Sequence, residues 1–263
     1  MTEAEAISRS WHAGMVACMG SGLIEMVGAF SADRLRRWLP RAALLSTLAG
    51  IALGYIALGF LLRTYAHPLV GLTSLAVIVL GYYAKVRWPL PTGLMAVLLG
   101  MVLAWSSGLI APSPGAWEES IRTISWHPPT LQLQILWGNR TDLFPWLGVI
   151  VPMGLFNVIG SLQNLESAEA AGDRYATRTC LLIDGVGTLA AAALGSCFPT
   201  TIYIGHSGFK DMGARSGYSW LNGVVMSAAC FFGLFELLAL LIPIDAGMAI
   251  VLYVGIAMTA QAF

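Results

Sequence analysis

Long apolar runs separated by short polar breaks dominate the chain. A helix needs about 20 mostly apolar residues to cross the hydrocarbon core of a bilayer. Residues 11–30, 42–62, 68–84, 92–111, 146–165, 179–194, 220–242 and 246–263 meet or approach that length, and each predicts a membrane helix. A ninth stretch, residues 198–210, is shorter and more polar. Pro199 and the β-branched run Thr200, Thr201 and Ile202 favour extended backbone there, while Gly205 and Gly208 permit a turn. The pattern predicts an all-α polytopic membrane protein of about nine crossings, with a short strand and half-helix near 198–210.

Composition agrees with lipid as the covering solvent. Of the 263 residues 57% are hydrophobic and 11% charged, with a mean hydropathy of +0.73; soluble domains carry about 25% charged residues. Fourteen acidic and fourteen basic side chains cannot cover a water-soluble globule of this size. The zero net charge, with no basic stripe interleaved with aromatics, argues against a nucleic-acid partner. Cys18, Cys180, Cys197 and Cys230 are scattered through apolar stretches without CxxC spacing, and read as small hydrophobes. His12, His67, His127 and His206 are far apart, so no metal site is predicted. Phosphate-loop, GxSxG and HExxH patterns are absent. Neither an enzyme nor a cofactor is expected. The N-terminal segment is acidic and lacks the basic region of a signal peptide, so residues 11–30 read as a retained span.

Orientation follows from Lys and Arg in alternate loops. One set holds Arg34, Arg36, Arg37, Arg41, Lys85, Arg87, Arg174, Arg178, Lys210 and Arg215; the other holds Arg9, Arg63, Arg122 and Arg140. The first set is expected in the cytoplasm and the N-terminus outside, in a multi-pass protein of the cell (inner) membrane. The alternation requires 198–210 to cross. Residues 112–145 form the one long loop, rich in Pro and Trp, with a glycosylation sequon at Asn139-Arg140-Thr141. Gly50 and Gly54 make a GxxxG spacing, read as ordinary close helix packing.

Polar residues inside spans are costly, and three groups stand out. Asn157, Gly160, Ser161 and Asn164 fall on one helical face, suited either to interhelical hydrogen bonds or to a ligand. Glu166 and Glu169 follow near the cytoplasmic end, within reach of solvent. Asp184 is a carboxylate within an apolar span, as a fixed acceptor or a proton-exchanging group. The third group is the 198–210 stretch, where an interrupted span with a half-helix N-terminus at the midplane is the mark of a secondary-transporter site. His206 would lie at that N-terminus.

At these residues the chain resembles the nucleobase–ascorbate transporter family, the xanthine/uracil permeases, and especially their hypoxanthine/guanine branch. Phe156-Asn157-Val158-Ile159-Gly160-Ser161 is similar to the F-D-T-x-G-T of the family's eighth helix. Thr201-Ile202-Tyr203-Ile204-Gly205-His206, followed by Gly213-Ala214-Arg215-Ser216-Gly217, is similar to its tenth segment. Asp184-Gly185 resembles the acidic site of the ninth helix. The likeness implies helices four to twelve of a fourteen-helix, seven-plus-seven inverted-repeat transporter, and hence a fragment of a longer protein. It implies core-domain helices over 1–31 and 146–245, gate-domain helices over 32–111, an extracytoplasmic loop over 112–145 and the start of the second gate repeat over 246–263. Two positions depart from the pattern: Asn157 replaces an acid, and Gly205 replaces a Glu or Gln.

The resemblance implies a proton-coupled (or sodium-coupled) permease of purine or pyrimidine nucleobases, with a homodimer as one assembly. Asn157, Ser161, Tyr203, Gly205 and His206 would bind substrate, and Asp184 and Glu166 would couple the ion or support the site. Loss of the two acids opens a second reading, an anion or other small-solute carrier. A truncated, transport-inactive membrane protein is the third.

Overall fold

The computed structural model describes residues 2–109, 112–132 and 146–261. The sequon Asn139–Thr141 and the ends of the spans predicted over 92–111 and 246–263 lie outside them. Within them the chain is all helical. Each of the eight long apolar runs becomes helix: α1 (Glu3–Trp38), α2 (Arg41–Ala66), α3 (Pro68–Tyr82), α4 (Thr92–Ser106), α6 (Leu147–Ala170), α7 (Thr177–Ala193), the pair α9 (Gly217–Phe231) and α10 (Phe235–Leu241), and α11 (Ile244–Ala260). A short α5 (Ala116–Arg122) stands in the long loop, and α8 (His206–Asp211) follows the irregular stretch.

Among the described residues α1, α2 and α6 are the helices both long and apolar enough to cross a membrane, with α9 and α10 a fourth if that bent pair counts as one span. At 1.5 Å per residue the 15-residue α3 and α4 reach about 22 Å, short of a hydrocarbon core about 30 Å thick. Nine full-length helical crossings are therefore more than the described helices supply. Large apolar side chains nevertheless face outward in number: Val27 is 72% exposed, Phe156 66% and Ile183 68%. Water does not favour such a surface, and a membrane-embedded helical protein accounts for it.

Three local departures have physical causes. Helix α1 runs through the arginine cluster to Trp38 because Arg is a good helix former and cations in the last turn complement the helix dipole; extended Leu39, ahead of Pro40, then ends it. The predicted span 220–242 is not one helix but two, bent by 107°. Gly233 at the corner has φ +65°, and the Leu234 N–H donates back to the Ala229 carbonyl, closing α9 in a left-handed cap. A Cβ at Gly233 would lie 2.2 Å from the Thr123 carbonyl oxygen, so no other residue fits. Among the described residues nothing lies within 4 Å of where a Cβ on Gly50 or Gly54 would sit, so the close packing expected of the GxxxG is not seen there; Gly54 belongs to a π-helical turn, Ala52–Ala57, inside α2.

Two compact units divide the chain: residues 1–48 with 129–206, and residues 49–128 with 207–263. In the first, α1 packs along α6 and α7. Its apolar core holds Ala29, Ala32, Val158, Leu162, Leu165 and Leu181. In the second, α3, α4 and α11 surround Val70, Ala104 and Ala246. There Tyr82 stacks on Tyr253 with ring centroids 4.8 Å apart.

Candidate functional site

The first unit gathers most of the polar groups that lie within apolar helices. Its geometry starts from the crossing of α1 and α7. A Cβ on Gly22 would come 3.0 Å from the Gly185 carbonyl oxygen, and one on Gly185 would come 2.6 Å from Met26 Cγ. The two glycines let the backbones touch. Glu25 on α1, three residues after Gly22, and Asp184 on α7, next to Gly185, flank this crossing.

Glu25 was not among the residues singled out from the sequence, and it is the centre of the cluster. It is fully buried. Asn157 Nδ2 donates to its Oε2 at 2.8 Å, and Ser161 Oγ donates to its Oε1 at 2.7 Å. The polar face read on α6 thus meets a carboxylate supplied by α1. The signal was present: an acid within the apolar run 11–30 is as expensive there as Asp184 is in its own span.

The irregular stretch 196–205 passes beside this cluster. Its expected strand does not form, because a strand needs a ladder partner and none is present among the described residues. Side chains satisfy its backbone instead. Asn164 Nδ2 donates to the Ile202 carbonyl at 2.6 Å, and Asn157 Nδ2 reaches the Thr200 carbonyl at 3.4 Å. The Thr200 N–H donates to Thr188 Oγ1 at 3.0 Å, and the Thr200 hydroxyl donates to the Asp184 carbonyl at 2.9 Å. Upstream, Trp11 Nε1 donates to the Gly195 carbonyl at 2.9 Å. Irregular backbone at membrane depth is tolerated only where protein or a water-lined cavity meets its hydrogen-bonding needs, and here α6 and α7 do so.

The predicted site residues separate. Asn157 and Ser161 come together on Glu25, and Asp184 stands at the same α1–α7 crossing. Tyr203 is 44% exposed, and Gly205 is buried in the turn before α8. His206 opens α8 with Nε2 2.8 Å from Asp173 Oδ2, in the loop after α6, and its ring meets Tyr175 edge to face. Glu166 is not solvated: it is 6% exposed, with Oε2 2.6 Å from Arg36 and Oε1 2.9 Å from Arg41. Arg36 also pairs with Glu169, and Arg174 lies 3.6 Å from Glu169. These charges line a cleft of about 510 Å³ where α1, α6 and α7 meet the arginine-rich loops. The ionic cluster ties helix ends together and stands apart from the Glu25 group.

No protein-family model, curated protein or solved structure matches the chain. The likeness to nucleobase permeases therefore rests on its motifs alone.

Proposed function

We propose that the chain is the substrate-carrying part of a secondary transporter for nucleobases or chemically similar small solutes, coupled to protons and embedded in the cell membrane as part of an inverted-repeat carrier. The observation that carries this reading is an interrupted segment, 196–205, held by the Asn157 and Asn164 amides beside a buried carboxylate. Such a place offers a planar heterocycle both donors and acceptors, with backbone close by. Tyr203 on the same segment adds an aromatic face.

The anion-carrier reading rested on the absence of acid near Asn157. Glu25 places a carboxylate 2.8 Å from the Asn157 amide, which disfavours an anion there and favours a solute that donates hydrogen bonds. Uptake of radiolabelled uracil, xanthine, hypoxanthine and guanine by cells expressing the chain tests the proposal. Saturable uptake of at least one is expected. Absence of uptake for all four, with the chain confirmed in the membrane, removes the nucleobase assignment.

A further inference from the structure

The cleft at the ends of α1, α6 and α7 holds about 510 Å³, within the roughly 300–1,000 Å³ of small-molecule sites. Four arginines line it, Arg36, Arg37, Arg41 and Arg174, against three acids, Asp33, Glu166 and Glu169. The pairing is uneven. Arg36 spans both glutamates and also donates from Nη1 to Thr177 Oγ1 at 3.2 Å, while Arg41 takes the other oxygen of Glu166. Arg37 is exposed; its Nε donates to the Asp33 carbonyl at 3.2 Å, and no carboxylate pairs with it among the described residues. The Arg174 side chain is 83% exposed and stands 3.6 Å from Glu169. Arg37 and Arg174 therefore keep N–H donors to spare. Ala176 and Thr177, which open the 17-residue α7, also line the cleft, and no side chain caps that helix.

The surface beside the cleft is apolar and faces outward. On α1, Leu23, Val27, Phe30, Arg34 and Arg37 recur at helical spacing and share one face. The first three are exposed hydrophobes, and the last two are exposed arginines. Arg178, in the first turn of α7, lies over the Phe30 ring, 4.5 Å from its centroid, and Trp38 stands exposed just beyond Arg37. An apolar stripe that ends in arginines and a tryptophan suits the boundary between acyl chains and headgroups. Arg37 belongs both to this face and to the cleft lining, so the cleft lies at that boundary.

We propose that the cleft is a phosphate-binding site occupied by the headgroup of an anionic phospholipid. Arg37 and Arg174 hold the phosphate, and the acyl chains run along Phe30, Val27 and Leu23. A guanidinium presents a phosphate with a planar fork of donors. Glu166 and Glu169 do not repel it, because Arg36 and Arg41 already engage them. The adjoining apolar stripe favours a lipid over a free phosphate, since only a lipid uses both parts of the surface. The proposal needs the chain to sit in a membrane and holds whatever solute the chain carries.

Native mass spectrometry of the purified chain, released from nanodiscs of phosphatidylcholine and phosphatidylglycerol in equal parts, counts the lipid retained. One phosphatidylglycerol held in preference to phosphatidylcholine is expected. An arginine near the membrane surface is worth about fivefold in affinity for anionic lipid. Arg37→Gln and Arg174→Gln should each weaken retention by about that factor, and the pair together by about 25-fold. Arg37→Lys keeps the charge but loses the fork, and should fall between the parent and Arg37→Gln. Arg9→Gln, near the opposite end of α1, should leave retention unchanged. Both arginines lie outside the Glu166 pairs, and circular dichroism checks that each variant keeps its helices. Excess inorganic phosphate separates the two sources of the phosphate group, and should not displace the lipid. Equal retention of the two lipids, parent-like retention in the double variant, an equal loss in Arg9→Gln, or displacement by inorganic phosphate would each overturn the proposal.

Discussion

Thr188→Val is the cleanest perturbation of the irregular segment. Thr188 is fully buried, and its Oγ1 accepts from the Thr200 N–H at 3.0 Å while lying 2.7 Å from Thr200 Oγ1. Valine keeps the shape and removes the oxygen. The Thr200 hydroxyl retains its bond to the Asp184 carbonyl, but the Thr200 N–H is orphaned. Thr200 is exposed at the protein surface, but at membrane depth that surface offers no water, and a donor left unmade away from water costs about 1–3 kcal/mol. Side-chain hydrogen bonds between membrane helices average only about 0.6 kcal/mol, because the partners find substitutes. A backbone N–H fixed outside any helix has fewer substitutes, so the larger figure should win.

Thr47→Val supplies the comparison. It removes the 2.7 Å bond that Gln163 Nε2 donates, but that amide belongs to a flexible side chain on a regular helix. Reversible unfolding in mixed micelles should show a loss of about 1–3 kcal/mol for Thr188→Val and about 0.6 kcal/mol for Thr47→Val. Maleimide labelling of Cys197, three residues before Thr200, should quicken only in the first variant. Equal unfolding midpoints for Thr188→Val and the parent, with unchanged Cys197 labelling, would refute the claim that side chains hold this segment.

Two further pairs of substitutions test other parts of the account. Gly233→Ala should destabilise by more than about 1–2 kcal/mol, the cost of the left-handed conformation, because its Cβ also meets the Thr123 carbonyl; Gly223→Ala, with open space around it, should be neutral or stabilising in the same unfolding assay. Arg36→Ala should cost about 1.5–3 kcal/mol by the same measurement, since buried Glu166 loses both bonds to its Oε2 and keeps only Arg41 on Oε1; Arg36→Lys should recover only part, because an ammonium cannot fork between two carboxylates.

Much of the helical layout was legible in the apolar runs, since burial in lipid demands both length and hydrophobicity and both are visible in one dimension. The polar face of α6 was legible for the same reason: Asn157, Ser161 and Asn164 recur at helical spacing. What they touch was not. Glu25 lies 132 residues from Asn157, and no local pattern announces that pairing. The α9–α10 corner escaped because Phe232-Gly233-Leu234 is as apolar as its flanks, while the bend depends on a backbone angle and a distant carbonyl. The strand expected near 198–210 failed through its partner rather than its own residues: the extended preference is satisfied, but by amides and hydroxyls.

The most direct test of the central proposal is transport by the purified chain in proteoliposomes under an imposed inward proton gradient. Accumulation of a labelled nucleobase that collapses when the gradient is dissipated, and that Glu25→Gln abolishes in correctly inserted protein, is the predicted result. Accumulation indifferent to the proton gradient, or no accumulation of any nucleobase by correctly inserted protein, would contradict it.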